Sequence, residues 1–497
     1  MKFDLKSKKL FVRKNIFLLA ILFFYILSRF VFIFKFPLFF DEAIYIRWAQ
    51  KIILNWQWSK FISLMDGKQP FFIWLVSISH RVIAQPVIAG RIVSVLAGLG
   101  TIVTLYAISQ KLFNKKTALL STALYLFLPF FLIYDGLALM DASVLFFGVQ
   151  AAYFSLLIAK ELKLKQAVLL GLVIGLGLLT KSSANFFIMF LPLSFLFLEK
   201  KNKKNVFRYF FFLALAIALA KAIEAILRLS TYYEVIASKT HDFIKTFDEF
   251  FTRPFVGVKD NSLQISEWLL SYMGIGFFLL MIAAFLFKDK LKEKIFLFIQ
   301  AVVPILAMLF FGKILYPRYF LFMLWPLIPL VASSIIQIRD KYQKLTVPLV
   351  IFLLLIFLNP LKNTYFLLTN PAQSSLPEKE AWQFFTGEPS GIGIQELRNF
   401  FDQQENQKNL IITDKSLGIL PDGIAIFYFK NKNMTFKGSD GVNQELIEKY
   451  QKKYQPDNTY LILSWQGLEA NIAAEKQLEI ERQGERNVNW RVYQLIQ

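Results

Sequence analysis

Over the first three quarters of the chain, apolar residues form long runs broken by short polar stretches. The run lengths lie near the ~20 residues that cross a bilayer as a helix. Segments 16–36, 88–109, 117–134, 142–159, 167–179, 186–198, 206–227, 266–287, 295–311, 319–336 and 347–361 predict about eleven transmembrane helices by this criterion. Beyond residue 361 the apolar runs shorten. "NLIIT", "NMTF", "TYLILSW" and "WRVYQLI" read as strands, and "IQELRNFFDQQ" and "VNQELIEKYQKKY" as helices between them. That alternation predicts a soluble α/β domain. The chain is thus expected to divide into a transmembrane domain, 1–361, with a large first outer loop at 37–87, and a C-terminal domain, 362–497. The glycine run "TGEPSGIGIQELRNF" matches no phosphate-loop spacing and reads as a turn followed by a helix start.

Composition agrees with the run pattern: 56% of the residues are hydrophobic and 55 of 497 are Phe, as expected of a chain built for lipid. The net charge of +21 does not point to nucleic acid, because the basic residues sit in short clusters between apolar runs. With no cysteine, neither disulfides nor thiolate metal sites are available. The first apolar run is too long for a signal-peptide core and lacks a small-residue cleavage site, so it reads as a retained span.

With eleven spans, "KSKKLFVRK", "KLFNKK", "KELKLK", "EKKNKKNVFR", "KDKLKEK" and "RDKYQK" all fall on one side. The positive-inside rule makes that side the cytoplasm. The N-terminus is then cytoplasmic, and the C-terminal domain lies outside a cell membrane. In the first outer loop, Ile44, Trp48, Ile52 and Ile53 share a helical face flanked by Arg47 and Lys51, which predicts a helix lying in the membrane interface with its aromatic side in lipid. "PFFIWLVSISHRVI" predicts a second surface-lying helix that starts at Pro70.

The outer side collects individually placed charges of both signs: Asp41, Glu42, Asp66, Lys68, Asp141, Lys181, His241, Lys313 and Arg318. Ionisable groups at span ends are candidate functional sites. Each also has an ordinary reading. Asp41 and Glu42 can serve the helix that follows as acidic first-turn residues, Asp141 can do the same for its span, and Lys181 and Arg318 can simply reach the interface.

The ordered series "FFDEAIY", "GKQPFFIWL", "GRIVSVLAGLGTIVTLYAISQKLF", "YDGLALMDASVLFF", "GLGLLTKSSANFF" and "YPRYFLFMLWPL" resembles membrane glycosyltransferases of the GT-C class. The likeness is strongest to the protein O-mannosyltransferases and to the enzymes that transfer aminoarabinose to lipid A, and it covers roughly residues 10–340. The resemblance implies a sugar donor linked to polyprenyl phosphate, used at the outer face, and an acceptor that is protein, lipid or glycan. It puts Asp41 in the place of the general base, with Glu42 on sugar or acceptor hydroxyls and Asp141 facing the cavity. Lys68, Arg318 and Lys181 then meet the donor phosphate. The family's Lys-Pro-Pro reads Lys-Gln-Pro here, at Lys68, Gln69 and Pro70. The aminoarabinose transferases pair a metal-binding histidine with a Glu just before the motif lysine. His241 stands in the first place, but Gly67 occupies the second, with Asp66 one residue away. No required cofactor or metal is expected.

The chemistry of such a donor is consistent with these residues. A phosphate-linked sugar already carries a good leaving group, so cations around the phosphate and one carboxylate base suffice for inverting transfer. Two other readings remain open. A lipid or glycan transporter predicts ionisable residues paired between helices at mid-span, for which Lys221 and Glu224 are the nearest sequence feature. A non-catalytic membrane receptor would place function in the outer domain alone.

Overall fold

The protein is described from a computed structural model that covers residues 5–482 and 489–496. The side chains of residues 5–15 and of residue 345 lie outside the description, and with them the basic cluster at 6–14. The chain forms two compact units.

The first unit comprises Met1–Lys35, Phe61–Phe72 and Arg91–Ser375. Among the described residues, five helices of the chain are long and apolar enough to cross a membrane: Ile16–Lys35, Pro86–Leu112, Met140–Glu161, Lys203–Leu229 and Leu291–Phe311. Four further pairs meet the same test only when joined across a bend of 53–91°, which brings the count to nine. Two of the breaks have a local cause. Pro129 starts the second half of the Lys115–Phe127 and Pro129–Gly136 pair, and Gly274, at φ +78°, divides Val258–Met273 from Ile275–Leu286. Two of the eleven expected spans, 167–179 and 186–198, correspond to Leu164–Leu178 and Ser182–Phe197, which are apolar but short. Fifteen helical residues reach about 22 Å, less than a hydrocarbon core of about 30 Å.

Close packing in this unit relies on missing side chains. A Cβ on Gly171 would lie 2.8 Å from the Ala216 carbonyl, and one on Gly175 would lie 2.7 Å from Ile223, so Leu164–Leu178 and Lys203–Glu224 approach at a small-residue stripe. Charge is also buried here. Arg29 and Asp135, both at zero exposure, form an ion pair of 3.1 Å. The other carboxylate oxygen accepts from the Tyr125 hydroxyl at 2.9 Å, and Arg29 also donates to the Leu126 carbonyl.

The second unit comprises Phe36–Lys60, Ile73–Gly90 and Leu376–Gln497. Among the described residues its five strands are β1 (Asn409–Thr413), β2 (Met434–Gly438), β3 (Asn458–Leu463), β4 (Ala474–Ile480) and β5 (Trp490–Leu495). They form one mixed sheet in the order β2-β1-β3-β5-β4. The first three are parallel, with Ile411 opposite Phe436 and Tyr460, and β5 and β4 run antiparallel at the far edge. One face, made by Leu410, Ile412, Leu461 and Leu463, packs on Val442 and Ile447 at the helix Gln444–Tyr454. On the other face Phe401, from the helix Ile394–Asp402, sets its ring against Phe436 and Tyr460. The strand missed by periodicity is β4, "AEKQLEI", a charged edge strand with one polar face.

The first outer loop departs from expectation. Its helix Phe40–Leu54 belongs to the second unit, and Ile44, Trp48 and Ile52 are buried in protein rather than presented to lipid. The junction is made of backbone bonds: Phe40 N donates to the Pro389 carbonyl at 3.1 Å, and Gly391 N to the Leu38 carbonyl at 2.7 Å. Deeper along the helix, Gln50 Nε2 donates to the Ile426 carbonyl at 2.8 Å. Burial pushes the Asp422 carboxyl up and the Arg47 and Lys51 side chains down, while attraction between the acid and the two bases opposes each shift. The linear division at residue 361 therefore does not describe the compact units. An amphipathic pattern requires only an apolar partner, and here that partner is the C-terminal part of the chain.

Two stability outcomes follow. A Cβ on Gly418, at φ +106°, would lie 2.0 Å from the Phe40 ring. Gly418→Ala should cost about 1–3 kcal/mol from overpacking, plus ~1 kcal/mol from backbone strain. Gly257→Ala, at φ +78° with open space around it, should cost the strain alone when both are compared by thermal unfolding. For the buried ion pair, Arg29→Met or Asp135→Leu alone should cost about 3–5 kcal/mol, and the double replacement much less. Equal losses for the single and double variants would show that the pair is not the source of the effect.

Candidate active site

Three of the expected cationic residues and two of the acids lie in the first unit, joined by a chain of contacts. Asp141 sits in the first turn of the helix Met140–Glu161. Its carboxylate does not cap that helix but accepts from Lys181 Nζ at 2.7 Å, with Asp141 nearly closed to solvent. Lys181 follows the end of the helix Leu164–Leu178, in an extended residue that leads into the turn Ser182–Ala184. Its ammonium lies 4.8 Å from the centre of the Tyr319 ring, a cation–π distance. Arg318, beside Tyr319 in the turn Pro317–Phe320, places its guanidinium 5.2 Å from the Tyr316 ring and 5.7 Å from that of Tyr319. The buried Tyr134 hydroxyl bonds to the Arg318 backbone and experiences the charges of both Arg318 and Asp141.

The Lys68 segment runs alongside. Phe71 N donates to the Leu179 carbonyl at 3.0 Å, and Gln69 Nε2 donates to Ser182 Oγ, so the two stretches are tied on either side of Lys181. Gln69, the departure from Lys-Pro-Pro, thus supplies a hydrogen bond that proline lacks. Lys68 itself pairs with Asp66 at 2.8 Å, and both are partly exposed. The neighbourhood brings together Lys68, Lys181 and Arg318 with Asp66 and Asp141, basic groups outnumbering acidic ones at the ends of apolar helices. Such an arrangement can hold an anion, with the guanidinium fork and two ammonium groups as donors.

His241 is exposed on the helix Val235–Phe243, and its carbonyl accepts from Lys313 Nζ at 3.0 Å. Lys313 also pairs with Glu249 at 2.7 Å. The Val235–Phe243 helix packs against the Ile62–Asp66 turn through Lys239, whose Cβ would stand 2.7 Å from a Cβ on Gly67. With φ +67° as well, position 67 has no room for a carboxylate side chain. Among the described residues no three His, Asp or Glu side chains gather closely enough to hold a metal ion.

Asp41 and Glu42 lie in the second unit, in the first turn of the helix Phe40–Leu54, both buried. Glu42 accepts from the Phe39 amide at 3.0 Å, the reach-back bond of a capping box. The helix-start reading of the pair is therefore realised, and by Glu42. Reading the outer span ends alone missed the Arg29–Asp135 pair. A signal was present in the sequence, because an Arg within the first apolar run and an Asp in "YDG" are both ionisable groups inside predicted spans. The rings of Tyr316 and Tyr319 carried no comparable signal.

Comparison with known proteins finds likeness of sequence over part of the chain and of fold over most of it. Residues 67–226 match the family described as dolichyl-phosphate-mannose-protein mannosyltransferase. A stretch of 183 residues is 27% identical to an undecaprenyl phosphate-alpha-4-amino-4-deoxy-L-arabinose arabinosyl transferase of Wigglesworthia glossinidia brevipalpis, covering 34% of this chain and 32% of that protein. The match thus spans about a third of the relative's length. Among solved structures, ArnT from Cupriavidus metallidurans bound to undecaprenyl phosphate superposes with a TM-score of 0.59 at 12% identity, over 97% of each chain. The oligosaccharyltransferase AglB from Archaeoglobus fulgidus, in complex with an inhibitory peptide and a dolichol-phosphate, gives 0.51 at 15% identity over 91% of this chain and 70% of that one. At such identities the likeness is one of fold, and it extends along nearly the whole chain. Likeness of sequence is thus confined to part of the chain, and likeness to ArnT and AglB is one of fold.

Proposed function

We propose that this protein transfers a sugar from a polyprenyl-phosphate donor to an acceptor hydroxyl at the outer face of a cell membrane, with inversion at the anomeric carbon. The observation that carries the reading is the cationic cluster around the Asp141–Lys181 pair, set at the ends of apolar helices where a lipid phosphate would lie. In the proposed reaction the acceptor oxygen attacks the anomeric carbon as its bond to the phosphate oxygen breaks. The polyprenyl phosphate leaves with the electron pair, and the acceptor proton passes to the Asp41 carboxylate. Glu42, with one oxygen committed to the Phe39 amide, orients hydroxyls of the sugar or acceptor. Lys68, Lys181 and Arg318 stabilise the charge that develops on the phosphate. Asp141 positions Lys181. His241 and Asp66 are assigned no metal. The basic clusters of the sequence support an arrangement with the C-terminal domain outside.

The Arg29–Asp135 pair, buried between helices, is the kind of feature a transporter would have, and it is the one observation that favours that second reading. Against it, both carboxylate oxygens and both terminal guanidinium nitrogens are already committed to protein partners. Consumption of a lipid-linked sugar by purified protein supports transfer. Movement of an unaltered lipid or glycan across a sealed vesicle supports transport.

For the donor site, Lys68→Ala and Arg318→Ala should each weaken donor binding by on the order of tenfold to a hundredfold, the scale of one lost charge-assisted contact. Normal binding by folded variants would remove both residues from the phosphate site. For the base, Asp41→Asn retains size but cannot accept a proton, so turnover at saturating donor should fall by ~10²–10⁴ while thermal stability changes little. Glu42→Gln should instead lower stability through the helix start. Near-normal transfer by Asp41→Asn would overturn the catalytic assignment.

A further inference from the structure

The second unit has its own chemically distinctive edge. Three parallel strands in the order β2-β1-β3 have connections that leave on opposite faces. Tyr428, on the path from β1 to β2, stacks on Phe436, whereas the helix Gln444–Tyr454, between β2 and β3, covers the Leu410 and Leu461 face. The carboxyl ends of β1 and β3 lie side by side, and the segments that follow them are joined there.

That edge is organised by Asp414, the residue after β1. Fully buried, its carboxylate accepts from Ser464 N at 2.7 Å, Ser464 Oγ at 2.9 Å, Trp465 N at 3.0 Å and Gln466 N at 3.1 Å. The Trp465 indole N–H in turn donates to the Asp414 carbonyl at 2.8 Å. The indole is thus held at both its backbone and its ring nitrogen, yet 53% of the residue remains exposed. Leu417, from the β1 loop, is 42% exposed at the same edge. Around them lie charged groups: Lys415, whose ammonium lies over the indole ring 5.3 Å from its centre and pairs with Glu388 at 2.7 Å, and Asp440, whose carboxylate accepts from the Ser416 amide. Gly467 faces open space.

We propose that this edge is a carbohydrate-binding site with Trp465 as its platform. A fixed, half-exposed indole with charged hydrogen-bonding groups beside it suits a pyranose, which offers a C–H face to the exposed part of the ring and hydroxyls around its perimeter. A saturated buried carboxylate, with Asp440 and Glu388 nearby, disfavours phosphate, so the ligand is a neutral glycan rather than a nucleotide or sugar phosphate. The site rests on the second unit's geometry alone, and stands or falls independently of the transfer reaction proposed above.

The test uses the full chain, labelled with 5-fluorotryptophan, in a detergent without a sugar headgroup. Nine tryptophan resonances are expected, and Trp465→Phe identifies the one of interest. Maltotriose and a mannotriose should shift that resonance saturably, whereas sorbitol, a polyol without a ring face, should not. Trp465→Ala should weaken binding, read by saturation-transfer signals on the sugar, by about tenfold, the scale of one lost aromatic stack. Trp465→Phe should retain part of the affinity, with thermal unfolding of both variants near wild type. A silent resonance with both sugars, an equal response to sorbitol, or tighter binding of mannose 1-phosphate than of mannotriose would each overturn the proposal.

Discussion

A charge removed from water among apolar helices persists only where an opposite charge or a hydrogen bond meets it, and this constraint governs the helical unit. Arg29 and Asp135 meet it by facing each other across two segments distant in sequence, with Tyr125 and the Leu126 carbonyl taking up further bonding capacity. Asp141 and Lys181 meet it nearer the helix ends, where the lysine stays partly exposed. The same requirement thus yields a closed tie in one place and an open cluster in the other. Depth and solvent access make the difference.

The open cluster owes its geometry to interrupted helices. Lys181 follows a helix only fifteen residues long, Arg318 sits in the first turn of a bent pair, and Lys68 lies after a turn closed by Gly67 in the left-handed region. Continuous spans would carry these side chains along helix surfaces. Breaks instead let three separate backbone segments turn toward one another, with the Gln69–Ser182 and Phe71–Leu179 bonds fixing two of them side by side. The tyrosine rings at 316 and 319 add flat, apolar surfaces on which the cations rest.

In the second unit the organising event is the capture of the helix Phe40–Leu54 by C-terminal segments. Phe40 lies against Gly418, and backbone bonds at Pro389 and Gly391 secure the entry of the helix. Asp41 therefore inherits its orientation from residues several hundred positions away. The sheet that supports this contact carries, at its carboxyl edge, the Asp414 and Trp465 arrangement.

The sequence by itself determined the membrane character, the position of almost every apolar segment and, among the described residues, four of the five strands. These are local properties: run length, periodicity and charge placement are set by neighbours along the chain. Only the tertiary structure decided that several predicted spans are bent or short, that the amphipathic first-loop helix finds its apolar partner in protein, and that Asp141 serves Lys181 rather than its own helix. It also decided the pairing of Arg29 with Asp135 and the anchoring of Trp465 by Asp414. Each depends on which distant surface meets a given face, and a hydrophobic pattern specifies that a face must be covered without naming what covers it.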